Sequence, residues 1–313
     1  MKVVLAGATG FIGQSLISRL LESRQEVTLL SRTPERAISM WGGTVNAVQW
    51  DGKSSGDWES VFEGVDGVIN LCGESIAAKR WTAEQKERIV SSRLESTKAI
   101  VRALEKVSRK PSVLVNASGV GFYGPVDGDD QVTEQFPRGR GFLAETCELW
   151  EKEALAAEKL GVRVALPRIG IVLEKDGGAL QKMLPPFLYY LGGPLGAGCQ
   201  WFPWVHRDDV IGMLNYALWD PRVAGPFNAC APEPVTLSAF AKTLGKVICR
   251  PSWLPVPAFV LKLLLGEMSE MLLTGQRAIP QKMRSWGYSF RYPDLEPALR
   301  SIFEASRFSG LPS

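Results

Sequence analysis

The segment Lys2–Gly13, KVVLAGATGFIG, decides the fold class of this 313-residue chain. Its apolar run Val3–Ala6 has the length of one buried strand, and the residues that follow repeat isoleucine and leucine at helical spacing. Gly7, Gly10 and Gly13 lie between these patterns with the spacing G-x-x-G-x-x-G. Such glycines permit a tight turn, let a pyrophosphate approach the backbone and allow the helix to pack against the strand. The order of strand, glycine turn and helix therefore predicts a dinucleotide-binding unit.

The end of the second predicted strand, Glu26–Leu30, indicates which dinucleotide binds. Enzymes that use NAD usually place a carboxylate here to hold the ribose 2′-hydroxyl, whereas this chain has Ser31 and Arg32. A carboxylate would repel a 2′-phosphate, but a hydroxyl beside a guanidinium suits one, because arginine binds phosphate bidentately and keeps its charge. We expect NADP(H) as the cofactor, and the alternative is that Arg32 is a solvated loop residue.

Alternating strand and helix patterns continue to about residue 174 and predict an α/β fold, a Rossmann doubly wound parallel sheet with right-handed crossovers. Beyond this point glycine, proline and aromatic residues become dense, which is typical of a smaller domain with long loops. We expect residues 1–174 to form the nucleotide-binding domain and residues 175–313 a smaller C-terminal substrate domain, with segments near 205–230 able to join the first. The later predicted strands are residues 65–71, 113–117 and 162–166, and the predicted helices include 82–107, with Thr82 and Gln85 as a capping box, and 143–160.

Composition excludes several classes of function. The 36 basic and 33 acidic side chains leave a net charge of only +3, which gives no electrostatic footprint for nucleic acid. His206 is the only histidine, so no multi-histidine metal site can form. The five cysteines are scattered without a Cys-x-x-Cys pair, which favours a reducing compartment. No export signal is evident and the longest apolar stretch, Trp253–Leu265, is too short to span a bilayer, so we expect a cytoplasmic protein without a transmembrane segment.

A set of longer motifs makes the pattern more specific. The chain reads NLCG at the end of the predicted strand 65–71, and an S-x-x-x-x-Y-G element, Ser118–Gly124, follows the predicted strand 113–117. In these features it resembles the extended short-chain dehydrogenase/reductases. Over nearly the entire chain it resembles more closely the SDR39U subgroup of epimerase-like proteins, also labelled YfcH or cell-division-inhibitor homologues. The motifs that carry this resemblance are NLCGESI, RW at 80–81, SR at 92–93, VGFYG, FLAETCELWE, KDGGAL, GGPLG, QWFPWVHRDD, GQRAIP and FRYPDLEPAL.

The resemblance implies a set of site residues. The cofactor would be held by the glycine turn and by residues after the predicted strands that end at residues 30, 71 and 166: Gly7, Thr9, Gly10, Phe11, Ile12, Gly13, Ser31, Arg32, Gly73, Pro167 and Arg168. Ser118 corresponds to the serine that hydrogen-bonds the reacting oxygen in active relatives. The members most like this chain include cyanobacterial and plastid proteins, and the plastid form is associated with organelle division. The resemblance therefore also implies a role in cell division, and the plastid stroma as an alternative location.

The usual acid/base pair of this superfamily is missing from the chain. Its members transfer the substrate proton with a tyrosine whose pKa is lowered by a lysine four residues further along the same helix face. None of the six tyrosines has a lysine at that spacing. The expected positions hold Phe142 or Leu143 and then Thr146 or Cys147, so any proton must come from another group.

Candidates for that group are Tyr123, Glu145, Glu74 and an ordered water. Tyr123 is equally suited to a packing role, and Glu145 on its helix could be a solvated or ion-paired carboxylate. His206, in the sequence VHRDD, is expected to be structural, at a junction where the following aspartates cap a helix.

Three further features allow two interpretations each. Trp201 and Trp204, in an aromatic and glycine-rich loop, could wall a substrate pocket or form a small core between the domains. Arg93 could face an anionic group or make a surface ion pair. The apolar segment 251–273 could be a dimer or membrane-surface face, or a core helix that helps to close the pocket.

Two functions stay open at this point. The first is an NADP(H)-dependent oxidoreductase or epimerase-like enzyme that acts on an unidentified small molecule. The second is a non-catalytic NADP(H)-binding scaffold that works through protein partners, for instance in division or complex assembly. The absent tyrosine and lysine pair favours the scaffold, whereas the retained Ser118 and Tyr123 favour catalysis. A homodimer and peripheral membrane contact are compatible with either function.

Overall fold

A parallel sheet whose central strands are buried on both faces forms the middle layer of the protein. The computed structural model describes residues 1–308, with side chains up to residue 304. Its strands are β1 Lys2–Ala6, β2 Glu26–Ser31, β3 Asn46–Gln49, β4 Gly67–Asn70, β5 Val113–Asn116, β6 Ser118–Gly119, β7 Gln131–Val132, β8 Arg163–Ile169, β9 Ile171–Glu174, β10 Trp201–Phe202, β11 Trp204–His206, β12 Gly225–Ala229, β13 Val235–Thr236 and β14 Arg277–Ala278. Its helices are α1 Phe11–Glu22, α2 Pro34–Met40, α3 Ala83–Lys106, α4 Phe142–Leu155, α5 Gly178–Leu188, α6 Arg207–Trp219, α7 Leu237–Val247, α8 Ala258–Leu265, α9 Glu270–Leu273, α10 Gln281–Ser285 and α11 Leu295–Phe308. Short 3-10 segments cover Asp57–Phe62, Val120–Tyr123, Ala156–Leu160 and Gly266–Ser269.

The main sheet has the strand order β3-β2-β1-β4-β5-β8-β12, with every neighbouring pair parallel, and β6 pairs with β8 beyond the end of β5. In β1, Val3 and Leu5 face one apolar cluster while Val4 and Ala6 face the other, because successive side chains of a strand alternate between faces. Helices α1 and α6 pack on the first face, and α3 with the 3-10 segment after α4 packs on the second. This arrangement confirms the doubly wound α/β fold that the sequence predicts.

The sheet continues past residue 174. Strand β12 pairs with β8 from Gly225 opposite Ala165 to Ala229 opposite Ile169, and α6 covers the same face as α1. The segments near 205–230 therefore lie in the layers of the main sheet. The sequence gives α6 a weak amphipathic signal because the face opposite its buried residues carries Gly212, Tyr216 and Trp219, which leaves few polar side chains to define a period.

The remaining C-terminal elements build a further apolar cluster, separate from the two on the sheet faces, to which α5, α7 and α11 contribute. Much of the region for which the sequence predicts long loops is thus helical. Helix α5 contains Pro185 and Pro186. Because proline usually ends a helix, the sequence does not predict a helix here.

Two predicted helices differ in detail from the observed ones. Thr82 is the N-cap of α3, and its Oγ1 accepts the N–H of Gln85 at 3.2 Å. The backbone N–H of Thr82 donates to the Arg80 carbonyl oxygen at 2.9 Å rather than to the Gln85 side chain, so only half of the expected capping box forms. The helix predicted for 143–160 is α4 followed by a 3-10 turn.

Helix α8 is more exposed than a core helix. Only Leu261 is buried, whereas Phe259, Leu263 and Leu264 are each at least 62% exposed. Its Ala258 and Lys262 border a cavity of about 680 Å³ that also faces α9. The core-helix interpretation of this segment is therefore wrong for most of the α8 surface. No helix among residues 1–308 has the length and apolar composition needed to cross a membrane.

Candidate functional site

The glycine turn between β1 and α1 is fixed by close backbone contacts. Gly7 has φ +80°, and a Cβ there would lie 2.6 Å from the carbonyl carbon of Leu71, which follows β4. A Cβ on Gly13 would lie 2.5 Å from the Gly7 carbonyl oxygen, so α1 can approach β1 only without a side chain at this position. Gly10 is the N-cap of α1 and carries no side-chain cap, which leaves the first-turn amides without an intrahelical acceptor. The turn is thus shaped to bind a phosphate group.

A second turn closes over this glycine turn. Gly177, the N-cap of α5, and Gly178, its first residue, lie against the Phe11 ring: added Cβ atoms would be 2.4 Å and 3.0 Å from its carbons. The guanidinium of Arg207 lies 5.4 Å from the centre of the same ring and pairs with Glu174 at 3.1 Å. The motifs GFIG and KDGGAL are therefore parts of one structure, in which Phe11 is held between the two turns.

The end of β2 presents an unpaired cation. The Ser31 Oγ accepts the N–H of Thr33 at 3.1 Å and stabilises the turn. Arg32 is exposed, and its guanidinium has no carboxylate partner among the residues whose side chains are described. Burial raises the pKa of the Cys72 thiol to about 12, and the positive charge of Arg32 opposes part of this rise. Arg32 therefore faces the residues that follow β4. A 2′-phosphate here would meet a guanidinium that is not paired with any carboxylate the structure describes.

Buried amides fix the carboxyl ends of β4 and β5. The Asn70 Nδ2 donates to Asn116 Oδ1 at 2.7 Å and to Thr97 Oγ1 at 3.1 Å. The Trp150 indole N–H also donates to Thr97 Oγ1, at 3.0 Å, which ties α4 to α3. Because all of these groups are buried and hydrogen-bonded, the floor of the cleft beyond β4 and β5 is rigid.

Ser118 and Tyr123 belong to a buried ion-pair network rather than to an open pocket. Ser118 Oγ donates to Glu151 Oε1 at 2.6 Å, and Arg168 binds the same carboxylate through two nitrogens at 2.9 Å each. Arg168 Nη1 donates to the Tyr123 hydroxyl at 3.0 Å, and this hydroxyl donates to Asn228 Oδ1 at 2.7 Å. Burial raises the pKa of Tyr123 to about 12.

This network changes the expected roles of several predicted residues. The Tyr123 side chain is fully buried and its proton is already donated, so the geometry favours the packing role over proton transfer. The Ser118 hydroxyl proton is likewise donated to Glu151, and the Arg168 guanidinium points into the network. Pro167 is buried within β8, opposite Phe227.

The positions expected to hold tyrosine and lysine are apolar or buried. Leu143 packs beside Gly121, where an added Cβ would lie 3.1 Å from the Leu143 Cβ. The Cys147 Sγ lies 3.8 Å from the Cβ position of Gly119, and burial raises the pKa of the thiol to about 11. Cys147 therefore stays a neutral thiol near pH 7.

Glu145 and Glu74, the two acidic residues considered for proton transfer, occupy different environments. Glu145 is exposed in the first turn of α4 and has no hydrogen-bond partner for its carboxylate among the described residues, as expected for a solvated side chain. Glu74 is half-buried; its N–H donates to Ser92 Oγ at 2.9 Å and its carbonyl accepts from Arg93 at 3.0 Å. Of the two, Glu74 lies nearer the end of β4.

The only histidine has a structural role. His206 is the N-cap of α6, and its Nδ1 accepts the N–H of Asp208 at 3.1 Å. Its ring stacks on Tyr292 with centroids 4.0 Å apart, and Nε2 lies 3.3 Å from the Ser301 Oγ of α11. Burial lowers the pKa of His206 to about 4, so it is neutral at pH 7 and its contact with Asp208 is a hydrogen bond rather than an ion pair.

Trp201 and Trp204, which the sequence suggests as walls of a pocket, lie in two different environments. Trp204 is buried in the C-terminal cluster and donates its indole N–H to the Glu233 carbonyl at 3.2 Å. Trp201 is half-buried beneath the Arg277 guanidinium, which lies 4.7 Å from its ring centre. The small-core interpretation fits Trp204, and neither indole N–H is left free for a ligand.

Glu151 and Asn228 are central residues that the sequence does not single out. Glu151 lies on the buried face of α4 with Ala144, Cys147 and Ala154. An acid within such an apolar stripe is a usable signal, because a buried carboxylate needs a partner. Asn228 gives no comparable signal, since its partners come from distant segments.

Comparison with known families decides the assignment. Residues 3–230 match the model of the NAD dependent epimerase/dehydratase family. The chain belongs to this family. A second model, the domain of unknown function DUF1731, matches residues 256–302.

Relatives with the same organisation refine the assignment. The chain is 41% identical over 311 residues to the chloroplastic epimerase family protein SDR39U1 homolog of Arabidopsis thaliana, covering 97% of this chain and 87% of that protein. It is 38% identical to the epimerase family protein YfhF of Bacillus subtilis over 96% of this chain and 98% of that protein. The crystal structure of human epimerase family protein SDR39U1 with NADPH matches with a TM-score of 0.86 and 34% identity, over 97% of this chain and 99% of that one. These matches confirm the resemblance to the SDR39U subgroup.

Proposed function

We propose that this protein binds NADP(H) and is an oxidoreductase-like member of its family that acts on a small molecule. The observation that carries the cofactor assignment is the pairing of a side-chain-free turn at Gly7, Gly10 and Gly13 with an unpaired Arg32 at the end of β2. The turn accepts the pyrophosphate and Arg32 the 2′-phosphate. The human relative whose structure contains NADPH supports the same choice.

The residues of the chain would divide the work as follows. The first-turn amides of α1 hold the pyrophosphate, and Phe11 is kept in place by the turn at Gly177. Gly73, exposed after β4, lines the nicotinamide side. Bound NADP(H) supplies or accepts a hydride. Proton transfer falls to Glu74 or an ordered water, because the Ser118 and Tyr123 protons are engaged in the buried network.

Cofactor titrations test the binding proposal. The dissociation constants of NADPH and NADH, measured by fluorescence, should differ in favour of NADPH. Arg32→Ala should weaken NADPH roughly tenfold or more and leave NADH unchanged, because it removes hydrogen bonds to a charged phosphate. Arg102→Ala, an exposed arginine of α3, is the matched control. Gly10→Leu should abolish the binding of both cofactors; tighter NADH binding by the wild type, or unchanged binding in Gly10→Leu, contradicts the assignment.

A second candidate function is a cofactor-binding scaffold without turnover. The observation that favours it is the burial of both predicted catalytic hydroxyls, those of Ser118 and Tyr123. Incubation of the NADPH-loaded protein with carbonyl compounds, and of the NADP⁺-loaded protein with alcohols, separates the two functions. A change of absorbance at the nicotinamide band supports the enzyme, and tight cofactor that is never turned over by any compound supports the scaffold.

A further inference from the structure

Arg93 lies in the cleft without a direct ion pair to any side chain that the structure describes. Its Cζ is 3.0 Å from the Cβ position of Gly73, the exposed residue that follows β4. The side chain is half-buried, and no carboxylate up to residue 304 lies within ion-pair distance of it. The interpretation of Arg93 as part of a surface ion pair is therefore wrong. The Glu74 carboxylate acts on the charge of Arg93 only from beyond ion-pair distance, so the guanidinium has no directly paired carboxylate and is suited to binding an anionic ligand.

The guanidinium is oriented before any ligand arrives. Its Nη1 donates to the carbonyl oxygens of Glu74 at 3.0 Å and Ile89 at 2.9 Å. The Trp150 ring lies 5.0 Å from its Cζ and is itself held by Thr97. One edge of the guanidinium is thus fixed by backbone acceptors and one face by an indole.

The opposite edge is available. The Nε and Nη2 atoms of Arg93 have no hydrogen-bond acceptor among the described side chains and backbone, yet neither is sealed off as a buried unsatisfied group. These two nitrogens form the fork that binds two oxygens of one anion side by side. Their place beside Gly73 puts the fork at the carboxyl edge of the sheet, where ligands of such folds bind.

Arg93 also stands close to the position of the missing lysine. The charge of Arg93 acts on the buried thiol of Cys147, the residue at that position on α4. Here the cation of the cleft comes from α3 instead of α4. An arginine in this place stays charged and cannot exchange a proton near pH 7, so binding is the chemistry open to it.

We propose that Arg93 binds an oxyanion of the substrate, a carboxylate or a phosphate, through its free Nε and Nη2 edge. The proposal rests on the proposed function, because it places the substrate beside Gly73 on the nicotinamide side of the cleft. It predicts that substrates of this protein carry a negative charge near the reacting carbon, which narrows the compounds worth screening to oxo- and hydroxy-acids and to phosphorylated carbonyl compounds or alcohols.

Calorimetric titration of the NADP⁺-loaded protein tests this proposal. The probes are pyruvate and benzoate for carboxylates, inorganic phosphate for phosphates, and benzamide as a neutral control. At least one anion should bind the wild type in saturable fashion and benzamide should not. Arg93→Gln should weaken that anion roughly tenfold to hundredfold, because it removes a charged pair of hydrogen bonds. Arg93→Lys should retain part of the affinity, and Arg102→Gln on the same helix should retain all of it.

The same titrations show which anion is preferred and what would overturn the proposal. Equal anion affinity in Arg93→Gln, or no saturable binding of any anion to the wild type, refutes it. A tenfold loss of NADPH affinity in Arg93→Gln would show that Arg93 serves the cofactor, which also refutes it. The titrations are repeated without cofactor, so that Arg93 is tested even if the wild type fails to bind NADPH, a failure that counts against the proposed function alone.

Discussion

Removal of the Glu151 carboxylate should be among the most destabilising single changes in this protein. Glu151→Ala leaves the buried Arg168 guanidinium without its counter-charge and takes the acceptor away from Ser118. Breaking a buried ion pair by removing one partner costs about 3–5 kcal/mol in the free energy of unfolding. With roughly 2–4 °C lost per kcal/mol for a large domain, the melting temperature should fall by about 6–20 °C.

Urea unfolding followed by circular dichroism measures this loss. The matched control is Glu153→Ala on the same helix, whose carboxylate is 29% exposed and lies 3.7 Å from Lys98. A pair of this kind contributes less than about 1 kcal/mol. The double variant Glu151→Ala with Arg168→Met should be less unstable than the two single changes predict together, with a coupling of about 1–3 kcal/mol. A cost of Glu151→Ala no larger than that of the control, or simple additivity in the double variant, refutes the argument that the network is one coupled unit.

Three further predictions follow from other parts of the structure. Gly177→Ala should displace Phe11, since the new Cβ would lie 2.4 Å from its ring, and should weaken NADPH binding in a fluorescence titration without unfolding the protein; unchanged affinity would show that this turn does not support the glycine turn. The pKa of His206 is lowered from 6.5 to about 4 in the folded state, so its neutral form stabilises the fold above pH 6.5 and up to about 3 kcal/mol should be lost as the pH falls towards 4. His206→Asn should flatten that part of the stability profile, and an NMR titration of the single imidazole that gives an ordinary pKa would contradict the burial argument. Ellman's reagent should modify only the exposed Cys199 and Cys249 rapidly in the native protein, because burial raises the pKa of the other three thiols; fast reaction of a third thiol would contradict this assignment.

The features that the sequence predicts well are those encoded within a few neighbouring residues. The first strand, the glycine turn and α1 lie within 22 residues; Gly13 is constrained by contacts inside the turn itself, and Gly7 by Leu71, which follows the adjacent β4. The Arg32 position is equally local, since it follows directly from the end of β2. Such signals depend little on the rest of the fold.

The roles of Ser118 and Tyr123 could not be predicted from neighbouring residues in the sequence. The Tyr123 hydroxyl is bonded to Asn228, which lies 105 residues further along the chain, and Ser118 to Glu151, 33 residues away. A motif shows that a hydroxyl is present, but not whether its proton is already donated to a distant residue. The exposed face of α8 was hidden for a related reason: apolar composition is the same whether a helix is covered or left open.

The junction between the two regions matched by family models bears on how this protein can change in evolution. Glu134 Oε1 accepts the backbone N–H groups of Asn228 at 3.0 Å and Lys282 at 3.2 Å, and β14 extends β7 as a parallel partner. The C-terminal region thus supplies hydrogen bonds inside the network of Tyr123 and Arg168 instead of resting on its outside. Exchange of this region between relatives would leave buried donors and acceptors unmatched unless Glu134 and its neighbours were exchanged with it. The two regions are therefore expected to be inherited together, as a single unit whose specificity drifts by side-chain substitution rather than by domain shuffling.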